Sequence, residues 1–356
     1  MWGVEMSVMM NISPVKPPMD VQSRQEEELM TRRQFMNHTI NSTRLMLETF
    51  GTEIEGYGIS KKEVAFATQE ILNQEYGTNF VVYYDGSHLS NWVATDGEGR
   101  KWNVCSDASL HGSDNTFELV TPVLRYKDID LLQKVLRNMR EKGARSDSAH
   151  GCGVHIHIGI KNDDYPATPK SIRNLTNIVK NHERLIVKAI KMDDERYHGY
   201  AKGISQRLVD ELNRKKPQTW DALKKIHYDT LGGNSRTHYD HSRYHFLNLH
   251  AIWDKGTVEF RCFEFQGNLH AGWMKAWIQL CMALVSYSKI VSYARPHEVY
   301  DPNEKWAMKN WLNNLGLIGD EFETCRILFL RRLQGDASQK VPAPRRAQND
   351  ELSWED

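Results

Sequence analysis

The chain has 356 residues, 40% of them hydrophobic, and this is enough to build a substantial core in one or two domains. Its 46 lysines and arginines balance its 46 aspartates and glutamates, so no net charge attracts nucleic acid or an anionic membrane over the whole surface, although a local basic patch stays compatible with these counts. The five cysteines are odd in number, widely spaced and without a CxxC pair, which argues against a disulfide framework or a structural zinc site and favours a reducing cytoplasm.

The two ends of the chain lack the regular spacing of apolar residues that is typical of a folded domain. Residues 1–40 contain prolines followed by a charged run, which predicts a flexible arm that ends in a helix. The composition of residues 334–356 predicts a disordered tail. Glu5 interrupts the apolar N-terminus, so a signal peptide is not expected. No window reaches the roughly eighteen apolar residues of a membrane span, and the most apolar stretch, residues 277–287, predicts a buried helix.

Between these ends, β-rich runs alternate with helical runs, which predicts a mixed α+β catalytic body over residues 41–333. Strands are predicted at 44–58, 79–85, 101–109, 116–122, 153–160 and 256–265. Helices are predicted at 61–77, 127–143, 171–191, 209–230 in two pieces, and 272–291. Because most strands have one polar face, we expect a curved, mainly antiparallel sheet with helices packed on its outer face and chemistry on its open face.

Four of the predicted strands place acids or histidines on one face, because side chains alternate across a strand. These residues are the pairs Glu53 and Glu55, His155 and His157, and Glu259 and Arg261, together with Glu118. Each placement alone is equally compatible with a solvated face or with cross-strand partners of lysine and arginine. The joint pattern predicts a funnel that holds roughly four carboxylates and two imidazoles.

So many unpaired carboxylates would repel one another and take up protons, which predicts that cations are bound. Hard oxygen ligands favour Mg²⁺ or Mn²⁺, and magnesium sites typically combine carboxylates with waters and substrate phosphates. A nucleoside triphosphate is therefore the expected bearer of those phosphates.

Five motifs, in chain order, resemble the amidoligase family: FGTEIEG, SDASLHGSDNTFELVTPVL, GCGVHIHIGI, RYHFLNLHAI and GTVEFRCFEFQGNL. That family comprises carboxylate–amine ligases of the superfamily of glutamine synthetase and glutamate–cysteine ligase. The resemblance implies a glutamine synthetase-like antiparallel sheet that forms a funnel. ATP would enter at one end and the acceptor at the other, with divalent ions between them.

The resemblance also implies roles for single residues. The implied metal ligands are Glu53, Glu55, Glu118, His155 and Glu259. The implied contacts of the ATP phosphates are His157, Arg243 and Arg261. The residues expected to be catalytic are Glu53, Glu118, His157, Arg243 and Arg261. Asp107 is expected either to be a further metal ligand or to bind the amino group of the substrate.

The acceptor end is where the sequence departs from glutamine synthetase. The long substrate loop and the glycine- and lysine-rich nucleotide signature of that enzyme are missing from the sequence, so ammonia and glutamate are not assumed as substrates. Asn248 is expected to shape the acceptor pocket. The helical segment 193–234, where family members diverge, is expected to select the acceptor through Arg196 and Tyr197.

The implied activity is ATP-dependent formation of an amide or isopeptide bond through an acyl-phosphate intermediate. The expected substrates are a small-molecule or peptide carboxylate and an amine, and the family-level context is a biosynthetic or phage-borne gene set. The chain is also compatible with a homo-oligomer, because the superfamily includes active sites completed by residues of two subunits. Two alternatives remain: a metal-dependent hydrolase that uses the HxH strand, and a non-catalytic nucleotide- or metal-binding module.

Overall fold

A computed structural model describes residues 41–86, 91–113, 115–162, 165–298 and 300–339. The arm predicted over 1–40 and most of the predicted tail, 340–356, lie outside these residues. The rest of that tail, 334–339, is hydrogen-bonded to the body. Asn303 Nδ2 donates to the carbonyl oxygens of Asp336 at 2.9 Å and of Gln339 at 2.6 Å.

The described residues contain one open sheet of nine strands, in which the paired neighbours run antiparallel. The strands are β1 (Thr49–Tyr57), β2 (Tyr83–Asp85), β3 (Asn91–Thr95), β4 (Lys101–Cys105), β5 (Thr116–Val120), β6 (Leu124–Arg125), β7 (Val154–Gly159), β8 (Leu247–Asn248) and β9 (Thr257–Phe263). Their order is β2-β3-β4-β5-β1-β7-β9-β8, and β6 also pairs with β1. Strand β1 therefore lies between β5 and β7, near the middle of the sheet.

The helices follow local sequence signals. They are α1 (which includes 41–44), α2 (Lys61–Tyr76), α3 (Ile129–Glu141), α4 (Pro169–Ile190), α5 (Asp194–His198), α6 (Gln206–Lys215), α7 (Trp220–Leu231), α8 (Ala251–Asp254), α9 (Ala271–Ile290), α10 (Glu304–Asn314) and α11 (Glu323–Leu330). Ser60 and Glu63 cap the start of α2 reciprocally, which satisfies two otherwise unpaired N–H groups. Gly77 ends this helix with a φ of 64°, a left-handed conformation that favours glycine.

One face of the sheet is apolar and packs against helices, which leaves the opposite face to carry the polar side chains. To the apolar face, the central strands contribute side chains that are almost completely buried: Phe50, Ile54, Val154, Ile156, Val258 and Phe260. Helices α2 and α9 pack against the sheet, and α3 and α4 pack against these helices. Full burial of an aliphatic or aromatic side chain contributes about 1.5–3 kcal/mol, so this layer holds the central strands in a fixed register.

The mixture of helices and antiparallel sheet agrees with the predicted α+β class. Each predicted strand segment contains an observed strand, although residues 45–47 form a 3₁₀ turn and β4 ends at Cys105. The sequence analysis missed the short strands β3, β6 and β8, since two to five residues carry too little alternation to be recognised. The helix predicted in two pieces is α6 and α7, with Pro217 between them, where a helix cannot continue.

Two predictions from composition can be compared with the described residues. The five cysteines are all free and buried, in agreement with the expected absence of a disulfide framework. The segment 277–287 lies within the buried helix α9, as predicted. Among the described residues, no helix combines the length and the apolar character needed to cross a bilayer.

A buried ion pair joins the start of β1 to the end of α9. Lys289 Nζ lies 2.7 and 2.8 Å from the two carboxylate oxygens of Glu48, and each side chain is 2% exposed. Burial raises the pKa of Glu48, and the nearby ammonium offsets part of this increase. Because each charge is buried, its stability depends on the presence of the other.

We predict that Lys289→Met lowers the free energy of unfolding by about 3–5 kcal/mol, because it leaves the Glu48 carboxylate buried without a counter-ion. Guanidinium denaturation measures this change. Lys188→Met is the control: Lys188 pairs with Glu304 at the same 2.7 Å separation, but the lysine side chain is 40% exposed, so a loss below about 1 kcal/mol is expected. Equal losses for the two variants would contradict a special role for the buried pair.

Candidate active site

The register of the central strands brings the predicted acids and histidines together. Across the pairing of β1 with β5, Glu55 is directly opposite Glu118, and across the pairing with β7, Glu53 is directly opposite His155. Directly opposed residues have Cβ atoms about 4.5–5.5 Å apart. Since Glu53 and Glu55 are two residues apart, both side chains project from the same face of β1.

The same row continues across β7, β9 and β8. His157 is directly opposite Glu259, which is in turn opposite Asn248. Asn248 Nδ2 and Arg261 Nη1 each donate a hydrogen bond of 2.6 Å to a different oxygen of Glu259. Burial raises the pKa of Glu259, but the Arg261 guanidinium and the neighbouring imidazoles outweigh this effect and lower the pKa to about 2. Glu259 is therefore ionised at neutral pH.

This polar face opens into a cavity of about 610 Å³, a size typical of small-molecule sites. The sheet contributes the glutamates of the lining, while Asp107 and Asp254 come from outside the strands. Residues between α5 and β9 contribute aromatic and cationic side chains: Arg196, Tyr200, His238, Tyr239, Arg243, Tyr244, His250 and Lys255. The cavity therefore combines an acidic sheet surface with groups that suit an anionic or aromatic ligand.

Two groups of ligand-type atoms in the described residues are close enough to share a metal ion. The histidine set consists of Glu53, His155 and Glu259, and the carboxylate set consists of Glu55, Asp107 and Glu118. Within each set, the ligand atoms lie within 4.8 Å of one another. Carboxylate oxygens dominate both sets, and these are the ligands that Mg²⁺ and Mn²⁺ prefer.

The histidine set is already partly neutralised by the chain's own groups. Glu53 Oε2 lies 3.0 Å from His155 Nδ1, and Glu53 Oε1 lies 2.7 Å from Lys255 Nζ. Burial raises the pKa of Glu53, but the adjacent imidazoles hold this pKa well below its usual range. Burial, assisted by Arg261, lowers the pKa of His155 to about 4. This imidazole is therefore neutral at pH 7 and keeps a lone pair that can bind a metal ion.

His157 has a nitrogen whose hydrogen-bonding capacity is unused. Its Nδ1 lies 2.9 Å from Thr257 Oγ1. Its Nε2 is 3.2 Å from Glu53 Oε1, but the geometry is unsuitable for a hydrogen bond, so this buried atom has no hydrogen-bond partner among the described residues. A buried polar atom without a partner costs about 1–3 kcal/mol, and a bound group would remove that cost.

The carboxylate set has the opposite protonation behaviour. Burial raises the pKa of Glu55 to about 7. Burial, and then repulsion by Glu53 and Glu55, raise the pKa of Glu118 to about 8. A divalent cation would relieve this repulsion and hold both groups ionised. Cys105 Sγ lies 3.2 Å from Glu118 Oε2, and burial and this carboxylate raise the pKa of the thiol above its usual range, so in the metal-free site the thiol stays protonated. The donor atoms present therefore fit Mg²⁺ or Mn²⁺.

The predicted phosphate contact Arg243 lines the cavity without an ion pair to another described residue. Its guanidinium carbon lies 5.2 Å from the Tyr239 ring centroid and 5.6 Å from that of Tyr244. These aromatic faces stabilise the cation without neutralising it. Arg243 is therefore available to bind an anion.

The structure separates the two predicted acceptor contacts, Arg196 and Tyr197. Arg196 lines the cavity, and its Nη2 donates to the Arg261 carbonyl oxygen at 2.9 Å. Gly153 makes room for it, since a Cβ there would collide with the guanidinium. Tyr197 does not line the cavity, and its hydroxyl donates to Glu183 at 2.6 Å. Neighbouring positions on a helix point about 100° apart, so only one of these side chains faces the ligand space.

The structure thus brings nearly all of the predicted residues to one site. Those that line the cavity are Glu53, Glu55, Asp107, Glu118, His155, Arg196, Arg243, Asn248, Glu259 and Arg261, and His157 contacts Glu53 beside them. The sequence analysis missed several lining residues, among them Tyr200, His238, Tyr239, Tyr244, His250, Asp254 and Lys255. His250 follows the two-residue strand β8 and is the N-cap of α8, so neither strand alternation nor helix periodicity predicts the direction of its side chain. Lys255 lies in the turn before Gly256, where no periodicity predicts side-chain direction.

A family model described as "Putative amidoligase enzyme" matches residues 47–285. Among solved structures, the chain is similar to a bifunctional glutathione synthetase from Pasteurella multocida, with 12% identity and a TM-score of 0.37 over 83% of this chain and 48% of that one. The chain spans about half the length of that structure. No curated protein sequence matches the chain.

We predict that Mn²⁺ raises the thermal unfolding midpoint more at alkaline than at acidic pH. The pKa values of Glu55, about 7, and Glu118, about 8, exceed their usual 4.5. Between these unfolded and folded pKa values, the metal-free fold therefore binds more protons than the unfolded chain. Its stability falls as the pH rises through that range. Metal binding requires the ionised groups, so its stabilisation increases over the same window.

The measurement compares melting in EDTA and in Mn²⁺ between about pH 5.5 and about pH 8.5. Glu118→Gln is expected to flatten the decline of stability in EDTA. Glu211→Gln is the control, because Glu211 lies outside the cavity and its pKa is lowered to about 2 by Arg214 and Lys215, so Glu211 does not titrate between about pH 5.5 and about pH 8.5. A pH-independent effect of Mn²⁺ would contradict ligation by Glu55 and Glu118.

Proposed function

The chain belongs to the amidoligase family, and from this premise we propose that it is an ATP-dependent carboxylate–amine ligase that works through an acyl-phosphate intermediate. The observation that carries the proposal is the adjacency, in one cavity, of two sets of metal-ligand residues and two arginines, Arg243 and Arg261. A hydrolase that activates a metal-bound water does not need this combination of paired acidic sets and phosphate-binding cations.

The proposed reaction has two steps. A carboxylate is a poor electrophile, because its charge repels nucleophiles and oxide is a poor leaving group. In the first step, an oxygen of the substrate carboxylate attacks the γ-phosphorus of ATP, and ADP leaves. In the second, the amine attacks the carbonyl carbon of the acyl-phosphate, loses a proton, and inorganic phosphate leaves. The sum is one amide, ADP and phosphate.

The chain's residues would supply binding and electrostatic stabilisation for these steps. Divalent cations would be held by the histidine set and the carboxylate set, and they would neutralise charge on the phosphate oxygens. Arg243 and Arg261 would bind the phosphates, and guanidinium groups suit this role because they stay charged and present several donors. Asn248 orients Glu259 through its 2.6 Å hydrogen bond, so its expected role in the acceptor pocket would be indirect.

We propose that the observed sheet forms one wall of a glutamine synthetase-like funnel, as the resemblance implies. Residues 41–333 would form the catalytic body. The cavity above the antiparallel sheet supports this proposal. The segment 193–234 would select the acceptor, and the position of Arg196 on the cavity wall beside the carboxylate set supports this role. Tyr197 would contribute only to the packing of this segment.

The function is tested by measuring ADP and phosphate release from ATP with Mg²⁺ or Mn²⁺ against a matrix of carboxylates and amines, with mass spectrometry of the products. Release that requires both substrates, and a product lighter than their sum by one water, is expected. Metal binding without nucleotide turnover in any combination would overturn the ligase proposal and favour a binding module or a hydrolase.

Glu53→Ala and Arg261→Ala are each expected to lower the rate of product formation by about a hundred- to a thousandfold. Arg261 would stabilise the charge of phosphoryl transfer directly, and Glu53 would hold the cation that does so. Circular dichroism establishes that each variant is folded. Arg214→Ala is the control, because Arg214 forms an exposed ion pair with Glu211 away from the cavity. A cavity variant that keeps most of its activity would remove that residue from the proposed site.

Arg196→Met is expected to raise the KM for the carboxylate or the amine by about ten- to a hundredfold while leaving the KM for ATP nearly unchanged, because it removes a charged hydrogen-bond donor from the acceptor end. Tyr197→Phe is the matched neighbour, since its hydroxyl binds Glu183, and its KM values should stay unchanged. A rise in the KM for ATP alone would place Arg196 at the nucleotide end instead.

A further inference from the structure

Lys255 is a cation that neither the sequence motifs nor the family resemblance assigned to the site. It follows α8 and precedes Gly256, whose φ of 71° turns the chain into β9. Its side chain lines the cavity, and its Nζ lies 2.7 Å from Glu53 Oε1. The lysine side chain is 40% exposed whereas the glutamate is 14% exposed, so a partly exposed lysine contacts a largely buried carboxylate.

This ammonium binds a carboxylate that belongs to the histidine set. Glu53 Oε2 lies 3.0 Å from His155 Nδ1. Oε1, the oxygen held by Lys255, also lies 3.2 Å from His157 Nε2. Both oxygens of this carboxylate therefore have a neighbouring group before a metal ion binds. A divalent cation and an ammonium on one carboxylate would repel each other strongly at this separation. The two cations therefore compete for Glu53.

The cavity offers the displaced ammonium a second role. Lys255 shares the cavity lining with Arg243 and Arg261. Arg261 is held by Glu259 at 2.6 Å, whereas Arg243 has aromatic neighbours and no ion pair among the described residues. Once released from Glu53, Lys255 would face a space that already contains these guanidinium groups. Such a cluster of cations requires an anion of high charge, and a polyphosphate has this chemistry.

We propose that Lys255 is a built-in counter-ion of the metal-free site, which a divalent cation displaces and which then binds the phosphates of the nucleotide. Metal and nucleotide binding are thereby coupled through one side chain: the metal ion releases the lysine that the nucleotide needs. By linkage, each ligand raises the affinity for the other. The nucleotide half of this inference rests on the proposed function, while the displacement half concerns the metal ion alone.

The displacement half is tested with Mn²⁺ and no nucleotide, by counting free Mn²⁺ with electron paramagnetic resonance. Lys255→Met removes the competitor, so Mn²⁺ is expected to bind about tenfold more tightly than to the unmodified protein. Lys255→Arg keeps the charge and should stay close to the unmodified protein. Lys188→Met is the matched control, because Lys188 pairs with Glu304 at the same 2.7 Å and the same 40% exposure. Unchanged or weaker Mn²⁺ binding by Lys255→Met would overturn the displacement.

The nucleotide half is tested with saturating Mn²⁺ and a non-hydrolysable ATP analogue in a calorimeter. Lys255→Met is expected to bind the analogue about ten- to a hundredfold more weakly, which corresponds to the loss of one hydrogen bond between charged groups. Lys188→Met should bind it normally. Equal affinities for the unmodified protein and Lys255→Met would overturn the contact with phosphate. If the unmodified protein does not bind the analogue, the proposed function fails, while the Mn²⁺ measurement still decides whether Lys255 competes for Glu53.

Discussion

The alignment of acidic side chains across adjacent antiparallel strands is the constraint on which the rest of this structure depends. Glu55 opposes Glu118, Glu53 opposes His155, and His157 opposes Glu259. A sheet that puts this many ionisable groups on one face is stable only if its other face is well packed and its charges are compensated. The apolar layer formed by α2 and α9 provides the first condition, and cations provide the second.

The chain's own cations compensate only part of the acidic row. Arg261 and Lys255 bind Glu259 and Glu53, and the pKa values of both carboxyls are held low. Among the described residues, no permanently charged cation lies within ion-pair distance of Glu55 or Glu118. Glu55 lies 3.9 Å from His155 Nε2, an imidazole that is neutral at pH 7, and burial raises the pKa values of both carboxyls. The two halves of the site therefore differ before any ligand binds, since one is balanced by side chains and the other by protons.

This difference connects the geometry to the proposed ligase chemistry. Phosphoryl transfer needs positioned positive charge more than it needs covalent catalysis, and the cavity supplies places for cations next to arginines already in position. The residues that hold this arrangement directly contact the proposed site residues: Gly153 leaves space for Arg196, Asn248 orients Glu259, and Thr257 fixes the ring of His157. Each of these contacts depends on the strand register, so the site and the fold are specified together.

The sequence by itself determined the faces of the strands, the residue types of the site and the family. Strand alternation has a fixed period of two, so the spacing of ExE, HxH and ExR was sufficient to place each pair on one face. The tertiary structure decided which residues oppose one another, that Asp107 joins Glu55 and Glu118, that Tyr197 turns away from the cavity, and that Lys255 contacts Glu53. These features depend on strand register, on helix rotation and on the turn at Gly256, and local sequence patterns do not encode them because they arise from contacts between segments far apart in the chain.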